Sequence, residues 1–333
     1  FIAKPRFLSM SSSYITQKRS WSGPERNDCI AENGMVSSKH PLISKTGIDV
    51  LRKGGNAVDA AIAAAFMDCV VEPAMNGIGG EGVMTIHLET GENVVIDYVG
   101  RPAMSSTPDM YELTEDTEPG WMMWRNVADD ANVIGHKACA TPGTVAGLAA
   151  ALERYGTMSL KEVIKPSVKV AEEGFIVGWG TAAPIFRGMI RFSRFDEWRK
   201  TFLLEGKYPY RPHQVTVKNP PKLVNRNLAK SLSSIAENGV DEFYRGWIAR
   251  AIVDEMERGG GFITMEDLAM YEPIIHEPKS GTYRGYEVVY DPTHSGTTML
   301  QTLKILEGYN LTEYGFGSPE SVHLMAEALG LSF

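Results

Sequence analysis

The longest nearly unbroken apolar stretch of the chain runs from Ala57 to Val71, where only Asp59 and Asp68 carry charge and alanines at 60, 61, 63, 64 and 65 cover more than one face. Small apolar residues all round a helix mark a buried, closely packed element. It is too short and too acidic to span a bilayer. Gly54 and Gly55 predict the left-handed end of a preceding helix, Asn56 an N-cap, and Asp59 a first-turn carboxylate favoured by the helix dipole. Glu72-Pro73 ends the helix. The loop Gly77-Ile78-Gly79-Gly80-Glu81-Gly82 follows, and then alternating strands over 83–88 and 93–99 flank Glu89-Thr90-Gly91-Glu92 as a β-hairpin.

Further on, the pattern predicts a helix over Thr144–Tyr155 ended by Gly156. Ser159 and Glu162 form an S-x-x-E capping box for a helix reaching Glu173, interrupted near Pro166 and closed by Gly174. The span 176–221 is rich in aromatics and arginine, including Trp179, Phe186, Arg187, Phe192, Phe195 and Trp198. Two readings fit it: a basic-aromatic binding surface, or a helical excursion whose aromatics pack on the main body. Helices follow over 227–237, 246–258 and 264–270, the last announced by Thr264 and Asp267. A strand over Tyr286–Tyr290 leads into a helix carrying Met299, Leu300, Leu303 and Leu306, and a final helix opens at Pro319. No internal repeat or low-complexity linker divides the chain, so residues 29–333 read as one domain of mixed α/β type and 1–28 as a disordered N-terminal arm.

Charge and composition remove several classes of function. A net charge of -8 and a pI near 5.5 argue against a nucleic-acid surface, and no basic run or basic amphipathic helix points to a membrane. Cys29, Cys69 and Cys139 are three and widely spaced, which indicates neither a disulfide framework nor a metal site. Cys69 reads as a small buried apolar residue. The seven histidines show no ligand spacing, so neither metal nor cofactor is expected; His87 and His323 read as structural. Gly77, Gly79 and Gly82 satisfy G-x-G-x-x-G, with Asp97 twenty residues beyond the first. A phosphate-binding loop must follow a strand and open a helix, whereas this one follows a helix and opens a strand, which makes it a backbone-shaping loop. Residues 1–20 hold no sustained apolar core of the kind a secretory signal needs, so the expected location is cytoplasmic.

The helix Gly54-Gly55-Asn56-Ala57-Val58-Asp59-Ala60-Ala61-Ile62-Ala63 and the loop Gly77-Ile78-Gly79-Gly80 resemble the N-terminal part of the gamma-glutamyltransferase (gamma-glutamyltranspeptidase) family. Its other landmarks follow in order: Gly34-Met35-Val36, His40-Pro41-Leu42, Pro142-Gly143-Thr144-Val145-Ala146-Gly147, Ala171-Glu172-Glu173-Gly174-Phe175, Phe243-Tyr244-Arg245-Gly246, Asp267-Leu268-Ala269-Met270-Tyr271, Tyr283-Arg284-Gly285-Tyr286 and Ile305-Leu306-Glu307-Gly308-Tyr309. The resemblance implies an N-terminal nucleophile hydrolase, a four-layer αββα sandwich completed by a small subunit. There the precursor cuts itself before a threonine, and the freed threonine is nucleophile and, through its α-amino group, general base. By this resemblance the catalytic threonine sits on the small subunit, none of the catalytic residues is in this chain, and the substrate is a small-molecule amide.

Thr293-His294-Ser295-Gly296-Thr297-Thr298 is superficially similar to the T-T-H-[ST] that opens family small subunits, but it leads from a strand into a helix, whereas that nucleophile opens a strand. It reads as a turn leading into a helix. Family members that take γ-glutamyl groups carry an arginine in a D-F-R-E-type segment, which clamps the substrate carboxylate. In Asp97-Tyr98-Val99-Gly100-Arg101-Pro102-Ala103, Val99 holds that position and Arg101 lies two residues later. A two-residue offset keeps Arg101 on the same strand face if the strand persists, so Arg101 is the candidate substrate-binding residue, with an ordinary ion pair as the other reading. The resemblance therefore implies a gamma-glutamyltransferase-like hydrolase or acyltransferase, alternatively an amidase or acylase for other acyl groups, or an inactive homologue that binds.

Overall fold

The computed structural model describes residues 30–116, 123–210 and 220–333; the predicted arm over 1–28 lies outside them. The first half of the chain contains α1 (Pro41–Arg52), α2 (Ala57–Val71), β1 (Val83–His87), β2 (Asn93–Asp97), α3 (Thr144–Tyr155) and α4 (Leu160–Glu173). Next come β3 (Phe175–Ile176), α5 (Trp179–Phe192), α6 (Asp196–Phe202), β4 (Lys222–Leu223), α7 (Arg226–Asn238), α8 (Asp241–Tyr244) and α9 (Trp247–Gly259). The chain closes with α10 (Met265–Ala269), β5 (Ile274–His276), β6 (Lys279–Tyr283), β7 (Tyr286–Tyr290), α11 (Gly296–Glu307), α12 (Leu311–Tyr314) and α13 (Pro319–Ser332). Two compact units emerge. One gathers the described residues up to Ile78 with Ala151–Ile248, the other Gly79–Ala150 with Ala249–Phe333.

In the first unit α2 is the central element, packed on α1 and α4, with α7 against α4. Ile62, Ala63, Phe66, Met67, Cys69 and Val71 are all buried, as a helix without a polar stripe requires. Burial pushes the Cys69 thiol up, which keeps it an inert apolar filler. Gly47 lets α1 approach: a Cβ there would stand 3.2 Å from the Ala60 carbonyl oxygen. The two glycines that end α1 do different work. Gly54 takes the expected left-handed turn at φ +92°, whereas Gly55 is demanded by space, since its Cβ would meet Val50 Cγ1 at 2.7 Å.

Asn56 caps α2 by accepting from Val58 N and Asp59 N, while the Asp59 carboxylate accepts from Asn56 N at 2.7 Å. This reciprocal box is more than local. Asp59 also accepts from Thr157 N at 2.8 Å, Thr157 Oγ1 at 2.7 Å and Met158 N at 3.0 Å, and Asn56 Nδ2 donates to Tyr155 O at 2.6 Å. The first turn of α2 thus holds the loop that leads into α4. That helix begins with the predicted Ser159–Glu162 capping box but runs unbroken through Pro166, contrary to the expected interruption. A proline there removes one backbone hydrogen bond, which the packing of Val163, Ile164 and Ser167 outweighs.

The other end of α2 carries a buried acid, Glu72. Its Oε2 pairs with Lys39 Nζ at 2.8 Å, and its Oε1 accepts from Thr181 Oγ1 at 3.2 Å, which ties the first turn of α5 to α2. His40 caps α1, its Nδ1 accepting from Leu42 N at 3.2 Å, with its ring edge-on to Phe175. Burial holds the His40 pKa below 6.5 against the opposing pull of Glu72 and Asp68. A histidine with a depressed folded pKa contributes stability that is fully present above its unfolded value and is lost as pH falls through the folded one. Thermal melts are therefore expected to show stability being lost as pH falls below about 6.5, a slope that His40→Asn, which keeps a cap without titrating, abolishes. An unchanged pH slope in that variant would exclude His40 as the source.

The second unit is built on a three-stranded antiparallel sheet in the order β1-β2-β5. The predicted hairpin is present, with Val83 opposite Asp97 and His87 opposite Asn93; His87 Nδ1 lies 2.7 Å from Asn93 Oδ1, a cross-strand contact. β2 is central, with Val94, Val95, Ile96 and Asp97 all buried, and β5 covers its other edge through Ile96 opposite Ile275. A separate hairpin, β6-β7, turns at Arg284-Gly285, both with positive φ, the geometry of a type I′ turn. It packs on α11, which in turn packs on α13. Thr293 lies in the turn before α11, donating its hydroxyl to Asp291 Oδ2 at 2.7 Å, so this segment is the turn the pattern predicted.

Candidate substrate-anion site

The candidate arginine lies just past β2 in the second unit. Regular strand ends at Asp97, two residues before the expected limit, because the Asp97 carboxylate turns back to accept from Val99 N at 2.9 Å. This is an Asx-type bend. The premise that a persisting strand would carry Arg101 to the face of Val99 is thereby removed. A different device sets Arg101: its N donates to Thr141 O at 3.1 Å and its O accepts from Thr141 N at 2.8 Å, a hydrogen-bonded antiparallel pair. Residues directly opposite in such a pair project their side chains from the same face, so Arg101 and Thr141 share one.

Three side chains fix the backbone between Asp97 and Arg101. Asp97 holds Val99 N, Glu81 Oε2 accepts from Gly100 N at 2.7 Å, and Tyr271 OH donates to Val99 O at 2.9 Å. Burial pushes the Tyr271 phenol up to about 12, over the opposing influence of the Arg101 charge, so it stays a donor at neutral pH. Val99 presents its carbonyl to Tyr271 and carries an apolar side chain.

The strand end is also wedged against the start of α3. The Tyr98 ring occupies the space that a Cβ on Gly82 or Gly147 would need, at 2.8 and 2.1 Å, and a Cβ on Gly143 would lie 2.0 Å from Tyr98 O and 2.1 Å from Tyr271 OH. These glycines are required by contact. The G-x-G-x-x-G loop finds its use here as well: Gly80 O accepts from Gly143 N at 3.0 Å and Thr144 N at 3.1 Å. The loop contributes a carbonyl acceptor to this contact, where a phosphate-binding loop would contribute amide donors, in keeping with the backbone-shaping reading.

Around this frame sit polar atoms without partners among the described residues. Arg101 Nη2, Thr141 Oγ1 and Thr144 Oγ1 are all buried and make no hydrogen bond there. Arg101 also forms no ion pair with a described residue, so the alternative of an ordinary ion pair has no partner in this set. A guanidinium offers a planar fork of donors suited to a carboxylate. Thr144 was visible in the sequence only as part of the Pro142-Gly143-Thr144-Val145-Ala146-Gly147 landmark and Thr141 lay just outside it; nothing local in that stretch announced two buried hydroxyls or the pairing of Thr141 with an arginine forty residues earlier. Among the described residues no group of three or more His, Cys, Asp or Glu side chains is placed to hold a metal ion.

A family model described as Gamma-glutamyltranspeptidase matches residues 43–333. The Glutathione hydrolase proenzyme of Escherichia coli (strain K12) is 39% identical over 301 residues, 90% of this chain and 49% of that protein. The Acylase ACY 1 proenzyme of Pseudomonas sp. (strain SE83) is 40% identical over 315 residues, 93% of this chain and 54% of that protein. The chain thus spans about half the length of these curated relatives. The crystal structure of Helicobacter pylori gamma-glutamyltranspeptidase superposes with a TM-score of 0.80 at 35% identity, covering 93% of this chain and 84% of that one. Cephalosporin acylase from Bacillus halodurans gives 0.77 at 30% identity, covering 96% and 57%. These structures bear out the expected N-terminal nucleophile hydrolase fold class, the αββα sandwich.

Proposed function

The chain belongs to the gamma-glutamyltranspeptidase family, and on that footing we propose that it is the large-subunit portion of an amide hydrolase or acyltransferase whose nucleophilic threonine opens a small subunit outside these 333 residues. The observation that carries this reading is the family match over 43–333 by a chain spanning about half of relatives named as proenzymes. In the proposed reaction the threonine hydroxyl attacks the amide carbonyl carbon, and its proton passes to the threonine's own α-amino group. Collapse of the tetrahedral species breaks the C–N bond and returns that proton to the leaving amine. The ester left on the threonine then yields its acyl group to water or to a second amine.

The part assigned to this chain is the pocket wall. Arg101 receives a carboxylate on the acyl group, held at fixed depth by the Thr141 pair and by the Tyr271 and Glu81 contacts. Val99 in the position of the γ-glutamyl-binding arginine favours acyl groups other than γ-glutamyl within the same chemistry, and so supports the acylase alternative.

Two measurements test the proposal. Intact mass and N-terminal sequencing of every polypeptide in the purified product of the whole gene is expected to reveal a second chain starting with threonine; its absence would favour an inactive homologue that binds. In the processed enzyme, Arg101→Ala is expected to lower kcat/KM by about 10- to 100-fold on amides with an anionic acyl group and to leave neutral amides unaffected. Equal rates on both, before and after the substitution, would remove Arg101 from the site.

A further inference from the structure

Helix α5 of the first unit packs on its neighbours through Thr181, Ala182 and Ile185 and turns a second apolar stripe away from them. Trp179 is 70% exposed, Phe186 61% and Ile190 95%. They lie seven and eleven residues apart, which at the α-helical repeat places them within about 20° of one line along the helix, with exposed Ala183 between them. Large apolar side chains scattered singly over a surface need no explanation, but three aligned on one helix do. The aromatics of this span therefore do not all pack inward. Phe192, Trp198 and Phe202 do form a cluster, with ring centroids 5.9 Å apart in each successive pair, and that cluster leaves the α5 stripe outside it.

The charge beside the stripe has one sign. Residues 176–203 hold five basic side chains and two acidic ones, in a chain whose net charge is -8. The two acids, Asp196 and Glu197, are paired with Arg199 and Lys200 on α6. Arg187, Arg191 and Arg194 are exposed and form no ion pair with a described residue; Arg194 rests over the Phe195 ring at 5.6 Å. Arg187 and Arg191 directly follow Phe186 and Ile190, and so stand about 100° round from the stripe, along its flank.

We propose that α5 is a membrane-surface helix that docks on anionic phospholipid, with Trp179, Phe186 and Ile190 entering the headgroup–acyl boundary and Arg187, Arg191 and Arg194 meeting the phosphates. A ridge of one indole, one phenyl and one branched aliphatic side chain beside exposed arginines that form no ion pair among the described residues has the composition of an interfacial helix. No helix among the described residues is long and apolar enough to cross a membrane, so the contact is in-plane. The proposal departs from the expectation of no membrane partner because the stripe exists only once the helix is wound: along the sequence these residues are separated by small and basic ones. It stands independently of the amide chemistry.

The test is co-sedimentation of the purified product of the whole gene with vesicles of phosphatidylcholine alone or mixed with phosphatidylglycerol. Binding is expected to be about tenfold tighter to the mixed vesicles and to weaken as salt is raised. Phe186→Ser with Ile190→Ser should remove it, and Arg187→Gln with Arg191→Gln should erase the preference for the anionic lipid, both with unchanged melting temperature because the altered side chains project outward. Failure of the parent protein to sediment with either vesicle overturns the proposal. So does binding that survives both pairs of substitutions. Protection of an introduced Phe186→Cys thiol from a soluble reagent in the vesicle-free protein also overturns it, since another part of the polypeptide would then cover the stripe.

Discussion

Replacing Asp59 by alanine is expected to destabilise the first unit by about 4 kcal/mol, far more than loss of an ordinary helix cap. A cap alone is worth about 1 kcal/mol. Here the same carboxylate also accepts from Thr157 N, Thr157 Oγ1 and Met158 N, and its side chain is fully buried. Each buried donor left without a partner costs roughly 1–3 kcal/mol, a sum that rotation of the Thr157 hydroxyl and entry of water reduce. Asp59→Asn keeps one carbonyl oxygen and is expected to retain about half of the stabilisation. Burial tends to raise the Asp59 pKa, but the hydrogen bonds from Thr157, Met158 and Asn56 prevail and hold it below 3.8. A carboxylate with a depressed folded pKa contributes stability that is present above its unfolded value and lost as pH falls through the folded one, so the gap between parent and alanine variant should close in acid. Urea unfolding of both proteins measures the loss, and amide exchange at Thr157 and Met158 locates it. A difference under about 1 kcal/mol, or unaltered exchange at those two amides, would reduce Asp59 to a local cap.

This residue shows where sequence reading reaches its limit. The ends of α2, the capping boxes of α4 and α10 and the hairpin turn at Gly91 were legible because each depends on residues within four positions of one another. The second use of Asp59, by a loop about a hundred residues away, carries no local mark. The same holds at the candidate site. Arg101 was singled out by its offset from a family position, but the strand that was to carry it ends early at the Asp97 bend, and the pairing with Thr141 that actually sets its direction is non-local. One local rule failed for a physical reason: Pro166 predicted a break that packing overrode. The span around α5 was legible as basic and aromatic, but the alignment of Trp179, Phe186 and Ile190 along one line appears only when α5 is wound into a helix.

Substituting Gly147 by alanine is expected to cost about 3 kcal/mol, although the same change in an exposed helix interior would stabilise by roughly 0.5–1 kcal/mol. The sign is decided by distance. A Cβ on Gly147 would stand 2.1 Å from Tyr98 Cγ and 2.3 Å from its Cβ and Cδ1, at the root of the ring, where no rotation of a flexible end can relieve the overlap. Either α3 withdraws or the backbone at Tyr98 yields, and overpacking of this kind costs about 1–3 kcal/mol or more. Removing the whole side chain should reverse the effect: in a Tyr98→Gly background, which takes away the Cβ at 2.3 Å as well as the ring, Gly147→Ala is expected to be neutral or mildly stabilising, a coupling of about 3 kcal/mol between the two positions. The functional consequence follows because only Val99 and Gly100 separate Tyr98 from Arg101. On the proposed role of Arg101 in the processed enzyme, Gly147→Ala is expected to raise KM for anionic amides several-fold more than for neutral ones, because the clash shifts the backbone next to the guanidinium. Additive stability effects of the two substitutions would show that α3 and Tyr98 are not in contact as described. A coupled loss of stability with equal KM changes for both substrate classes would keep the wedge but separate it from the positioning of Arg101.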